Sequence, residues 1–161
     1  MLAQYFYPQK QTKGMNEGCA TFVHYYIINA LYDQGRISDG TMLEILHSHS
    51  NVVFQPEYSD QRFSGINPYA LGFAMMQDIQ RMCLEPTDED REWFPDIAGS
   101  DWLSTLKFAM NSFKDESFIL QYLSPKVMRD FRMFAIADDS AESHVEVAAI
   151  HGKANASLIA H

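Results

Sequence analysis

The fold is decided by the stretch Gly14-Met-Asn-Glu-Gly-Cys-Ala-Thr-Phe-Val-His-Tyr-Tyr-Ile-Ile-Asn-Ala-Leu-Tyr-Asp-Gln34. Apolar side chains cover it broadly, and Gly35 follows as a natural helix stop. We therefore predict a helix from Gly14 to Gln34. A helix of this length is the first element of a helical domain.

Start signals for further helices follow along the chain. Asn67 before Pro68 and Ser124 before Pro125 each read as an N-cap followed by the first helical residue. Thr87 resembles the start of a capping box. We predict helices that begin near Asp39 and that span Pro68 to Cys83, Asp101 to Phe113 (capped by Ser100), Asp115 to Leu123 and Pro125 to Asp130. Gly72 lies inside one of them at a cost of about 1 kcal/mol relative to Ala, so close packing is expected there.

Two segments interrupt or end the helical pattern. Residues 48–67 are expected to be irregular. Near the C-terminus, residues 131–137 and 145–150 read as two short strands around a turn at residues 138–140. The predicted class is therefore mainly α (α+β), a helical domain with a C-terminal two-stranded β-hairpin. Such a hairpin is marginal alone and needs cover from other elements.

Length, charge and cysteine usage exclude several classes of protein. The chain has 161 residues, enough for one domain, and 12 basic against 21 acidic residues give a net charge of −9. Non-specific binding to nucleic acid or anionic lipid is not expected, because it needs clustered positive charge. No uncharged stretch reaches the ~20 residues of a membrane span, and no secretory signal is visible. Cys19 and Cys83 read as reduced thiols of a cytoplasmic protein.

Glu17 and His24 are the first candidate site residues. Seven residues make about two helical turns, so both side chains project from one face, but they are separated by about 10.5 Å along the axis. They are too far apart to bind one ion in an undistorted helix, because zinc bonds measure about 2.0–2.2 Å. One of the two residues is therefore a candidate metal ligand, and the other is a candidate group in contact with the substrate. The alternative is a structural role for His24.

His47 and His49 are the second candidates, the first as a metal ligand and the second as a catalytic group. Residues two apart point about 200° apart on a helix but share a face in an extended segment. Joint use of both therefore requires the preceding helix to end near Leu46. The alternative is that these imidazoles bond the last carbonyls of that helix.

Two polar stretches complete the candidates. Asp96 and Asp101 lie in an aromatic, glycine-containing loop, and Arg129 and Asp130 lie near a helix start. Arg129 has the fork geometry to hold a carboxylate through two hydrogen bonds. The alternative for all four residues is an internal ion-pair network.

Long segments of the chain together resemble the SpoVR family. They include Met15-Asn-Glu-Gly18, Leu46-His-Ser-His49, Asn51-Val-Val-Phe-Gln-Pro56, Ser64-Gly-Ile-Asn-Pro-Tyr-Ala-Leu-Gly-Phe-Ala-Met75, Trp93-Phe-Pro-Asp-Ile-Ala-Gly-Ser-Asp-Trp-Leu103 and Leu123-Ser-Pro-Lys-Val-Met-Arg-Asp-Phe-Arg132. The resemblance covers about Ala3 to His151, so residues 1–151 read as part of the family's core domain and 152–161 as a divergent tail. Family members are longer, so the chain resembles an interior fragment. Cys19 and Val23 stand where the family has tryptophan.

The resemblance implies a role in spore cortex formation, or in stationary-phase and stress programmes beside a serine protein kinase gene. For this chain we expect a regulatory or scaffold role with protein partners in such a pathway. The alternative is a part of a zincin-like, metal-dependent hydrolase. There, similarity to the glutamate-bearing helix of gluzincin peptidases makes Glu17 a zinc ligand, and the histidine ligands lie upstream in longer relatives. The resemblance then implies that His24, His47 or His49 supports the ligands or donates a proton in catalysis. Zinc is the cofactor that this alternative implies, and the fragment alone is expected to be inactive.

Overall fold

The fold is a packed set of helices with a long irregular connection at residues 53–67. The computed structural model describes the backbone of residues 9–137 and 146–150 and the side chains of residues 9–133. Its helices are α1 (Lys13–Asp33), α2 (Asp39–Val52), α3 (Pro68–Leu84), α4 (Asp88–Trp93), α5 (Trp102–Ser112), α6 (Asp115–Tyr122) and α7 (Pro125–Asp130).

Most helix starts are where the sequence predicts them. The Asn67 carboxamide oxygen accepts from the Tyr69 amide at 3.0 Å, and the Ser124 hydroxyl accepts from the Val127 amide at 3.1 Å. Asp101, and not Ser100, caps α5, because its carboxylate accepts from the amide of Ser104. These contacts are local, which is why the sequence reveals them.

The second helix is longer than expected. α2 continues to Val52, so the irregular stretch begins only after it. The Ser38 hydroxyl caps its start. Only Met42 and His49 are buried on α2, so most of this helix faces outward.

The core forms where α1 crosses α3. The contact between α1 and α3 is more extensive than that between any other two described helices. The absence of a side chain at Gly72 allows the close crossing, since a Cβ on Gly72 would lie 2.4 Å from the Gly14 carbonyl oxygen. This confirms the close packing predicted at Gly72. Methionines fill the core beside the crossing, namely Met15, Met75, Met76, Met82 and Met128, each at most 1% exposed.

The predicted α+β class, in which a C-terminal β-hairpin is part of the packed domain, is wrong. Between residues 9 and 133, 68% of the chain is helical and no strand occurs, so the fold is all-α. Beyond the helices, β1 (Phe134–Ala137) and β2 (Glu146–Ile150) pair antiparallel along their backbones, but neither packs extensively on a helix. The expected turn at 138–140 and the tail at 152–161 lie outside the described residues. Apolar alternation is a local pattern and does not decide whether a segment joins the core.

No helix in the described part of the chain is long and apolar enough to cross a bilayer.

Candidate functional site

Two of the predicted histidines meet at the junction of α1 and α2. The rings of His24 and His49 are stacked, with centroids 6.2 Å apart and planes 16° apart. His24 is exposed on α1, whereas His49 is only 8% exposed. The sequence identified both residues as candidates but could not show that their rings face each other.

His49 lies in an aromatic pocket. Its ring centroid is 5.1 Å from that of Tyr25 and 4.8 Å from that of Phe73. Its Nε2 atom is buried and has no hydrogen-bond partner among the described residues. Burial, and then the proximity of His24, lower the pKa of His49, so its ring is neutral at pH 7. A buried nitrogen without a partner costs about 1–3 kcal/mol and therefore needs an explanation.

His47 and His49 do not form a pair. Because α2 runs through both residues to Val52, their side chains point about 200° apart. His47 is exposed. The extended segment that joint metal binding required is therefore absent at residues 47–49.

Glu17 is half-buried on α1, two turns from His24. The Tyr69 hydroxyl, at the start of α3, forms a hydrogen bond with the Glu17 carboxylate, and this bond raises the pKa of Tyr69. Glu17 therefore sits at the junction of α1 and α3, with one partner already in place.

A complete metal site is not assembled from these groups. No set of three or more His, Cys, Asp or Glu residues close enough to hold an ion occurs within the described ranges. In a tetrahedral zinc site with bonds of about 2.0–2.1 Å, two nitrogens lie about 3.3 Å apart. The parallel rings of His24 and His49, with centroids 6.2 Å apart, do not converge in this way. His24 is exposed, however, and its ring has room to turn.

The four predicted polar residues do not form one network. Arg129 holds the Glu89 carboxylate through two hydrogen bonds of 2.9 and 2.7 Å, so its fork geometry is used as expected. Asp130 pairs instead with Lys126, one turn earlier on α7. Asp101 caps α5, as described above. Asp96 is exposed in the loop before α5.

A more deeply buried network centres on Arg81, which sequence reasoning missed. Its guanidinium holds Asp90 through hydrogen bonds of 2.6 and 2.7 Å and Asp78 through one of 2.7 Å. Asp78 also accepts from the Ser124 hydroxyl at 2.5 Å. The capping pair of Thr87 and Asp90 was the available signal, but the partner on α3 could not be deduced from spacing.

A model of the family described as SpoVR like protein matches residues 1–159. The chain belongs to the SpoVR family. It is 66% identical over 152 residues to a SpoVR relative named "Uncharacterized protein YcgB" from Escherichia coli strain K12. The match covers 94% of this chain but 30% of that relative, so the chain spans less than a third of the relative's length. No solved structure matches.

The segments that carry the SpoVR resemblance occupy defined places in the fold. Met15–Gly18 lies at the glycine crossing of α1 and α3, and Ser124–Arg132 includes α7 with its ion pairs. Residues 46–49 lie inside α2. The SpoVR segments therefore meet at helix junctions, although they are far apart in sequence.

Proposed function

We propose that this SpoVR-like chain is a regulatory or scaffold domain of a cytoplasmic sporulation, stationary-phase or stress programme. The observation that carries this proposal is that polar and charged side chains join the helices to one another. Arg81, Asp90 and Ser124 join α3 to α4 and α7, and Arg129 joins α7 to α4. These interhelical hydrogen bonds and ion pairs hold the helices in one arrangement, so that the domain can present a fixed surface to protein partners.

A second candidate is a part of a zinc-dependent hydrolase. It is favoured by the grouping of Glu17, His24 and His49 near the junctions of α1 with α2 and α3. Glu17 would hold the ion, and His24 and His49 would position substrate or carry protons. A bound zinc ion would lower the pKa of a water to about 7 and polarise a scissile carbonyl. The remaining ligands would come from the longer part of a SpoVR protein.

The metal content of two purified proteins separates these candidates. Mass spectrometry would be applied to this chain and to the full-length E. coli relative. The hydrolase predicts stoichiometric zinc in the full-length protein and a loss of zinc when the residue aligned with Glu17 is changed to Ala. The scaffold predicts no stoichiometric metal in either protein.

The stability of a Glu17→Gln variant of this chain gives an independent test. If Glu17 has a structural role, the altered bond to Tyr69 lowers the melting temperature. If Glu17 is held in place for metal, its replacement leaves the melting temperature unchanged or raises it, because a carboxylate kept for function is not optimised for stability. Asn16→Ala, at an exposed neighbouring residue, is the control.

A further inference from the structure

α1 is apolar on two opposite sides, and the described part of the chain covers only one of them. Met15, Gly18 and Phe22 are buried against the rest of the domain. On the outer side, Val23 is 43% exposed and Ile27 is 48% exposed. A helix that is apolar all round is normally surrounded by protein on every side.

The outer side forms a continuous surface, which we call the α1 outer face and define as Ala20, Val23, His24, Tyr26 and Ile27. These residues lie within about two turns of each other on one side of the helix. Tyr26, 47% exposed, extends the face toward α5, since its ring centroid is 5.3 Å from that of Trp102.

The edge of this face also carries an unmet hydrogen-bonding group. His49 is stacked on His24 of the α1 outer face, and its buried Nε2 has no partner among the described residues. A buried ring nitrogen without a hydrogen-bond partner is costly, whichever tautomer the ring adopts. The surroundings of His24 and His49 therefore lack one polar partner within the described part of the chain.

We propose that the α1 outer face is the docking surface for the remaining part of a full-length SpoVR chain. The E. coli relative is more than three times as long as the region matched here, so it contains ample chain to cover the face. A second copy of this chain is a poorer occupant, because each copy carries a net charge of −9 and like charges repel. The inference is independent of which proposed function is correct.

Thiol labelling tests the proposal in both proteins. Ala20→Cys is introduced into this chain, and the aligned position is changed to Cys in the full-length relative, with labelled peptides identified by mass spectrometry. We expect maleimide to label this site at least about tenfold more slowly in the full-length protein. Ser112→Cys, at an exposed position at the end of α5, is the matched control and should react at similar rates in both.

Two outcomes would overturn the proposal. Equal labelling of the Ala20 site in both proteins means that no part of the longer chain covers the face. Labelling that slows in this chain alone as its concentration rises means that a second copy is the occupant.

A charge substitution supplies a second measurement. Ile27→Asp should leave the melting temperature of this chain nearly unchanged, whereas the aligned substitution should lower that of the full-length relative by several degrees. Gln121→Asp, at an exposed polar residue of α6, serves as the control for an added charge. A full-length protein that tolerates the first substitution as well as the control contradicts the docking surface.

Discussion

Arg81 shows how one side chain can tie three elements together. It reaches Asp78 on its own helix and Asp90 on α4, and Asp78 in turn holds Ser124 at the start of α7. The side chains of Asp78 and Asp90 are only 3% and 4% exposed. Charges this deep are tolerated because each oxygen has a partner, and the removal of one partner leaves the others unpaired.

Asp90→Asn should weaken the fold in a pH-dependent way. Burial alone would raise the pKa of Asp90, but the hydrogen bonds from Arg81 and Thr87 lower this pKa to about 2. A depressed carboxyl pKa stabilises the fold above the unfolded value of 3.8, and this contribution is lost as the pH falls from about 4 to 2. We expect the variant to lose about 1.5–3 kcal/mol at pH 7 and to show a weaker dependence below pH 4.

Urea unfolding at several pH values measures this effect. Asp88→Asn, at an exposed residue of the same helix, is the control for a lost charge in the first turn of α4. Parallel pH curves for the Asp90 variant and the parent chain would contradict the assigned cause of the pKa shift.

Asp115 forms hydrogen bonds with two residues that are 101 and 100 positions earlier in the chain. Its two carboxylate oxygens accept from the amides of Gly14 and Met15 at 2.8 Å each. It therefore caps the start of α1 from the first residue of α6. The Thr12 side chain that precedes α1 makes no cap bond of its own.

Asp115→Ala should cost about 1–2 kcal/mol, because two amides at the start of α1 lose their acceptor. Thermal unfolding followed by circular dichroism gives the measurement. Glu116→Ala, one residue later and exposed, should change stability by less than about 0.5 kcal/mol. Equal effects of the two substitutions would show that the cap is not energetically significant.

Among the helices, the close crossing of α1 and α3 depends on two glycines, Gly18 and Gly72, which have no Cβ. A Cβ on Gly18 would lie 2.5 Å from the backbone of Gly72, and a Cβ on Gly72 would lie 2.4 Å from the Gly14 carbonyl oxygen. Neither contact can be relieved by turning a side chain. The two helices would have to separate, and the core methionines between them would lose contacts.

Gly72→Ala should therefore destabilise the protein by about 3 kcal/mol or more, despite the better helix propensity of alanine. Gly40→Ala is a closely matched control, because Gly40 is also helical and nothing lies within 4 Å of an added Cβ. We expect that control to gain about 0.5–1 kcal/mol. Stabilisation by both substitutions in urea unfolding would contradict the close crossing.

At the scale of the whole molecule, burial is distributed unevenly among the helices. α3 buries eight residues, including Met76, Ile79 and Met82 at 0% exposure, and lies against α1 and α5. α2 buries two. The centre of the fold is therefore α3, and α2 is attached at its periphery.

Hydrogen exchange should reflect this arrangement. Amides of α3 should open only with global unfolding and exchange most slowly, whereas those of α2 should exchange faster by local opening. Mass spectrometry of peptic peptides makes the comparison. Equal protection of α2 and α3 would mean that the two helices unfold as one unit.

Part of the candidate site could be predicted from sequence. Glu17, His24 and His49 were identified as candidates by residue type and spacing. The continuation of α2 past His47 to Val52 was not predicted, because the sequence around Val52 has no strong helix-stop signal. The contact of Glu17 with Tyr69 and that of His24 with His49 join different helices. Spacing along one helix says nothing about which neighbouring helix faces a side chain.

The helix starts near Asp39 and at Asn67, Thr87 and Ser124 follow from local sequence, because each cap contacts an amide two or three residues away. The sequence also indicated the close approach at Gly72, since a glycine inside a helix needs a compensating reason. The all-α class, the capping of α1 by Asp115 and the ion pair of Arg81 with Asp90 could not be predicted in this way. These features depend on the packing of helices against one another, which joins residues distant in sequence and which no local pattern encodes.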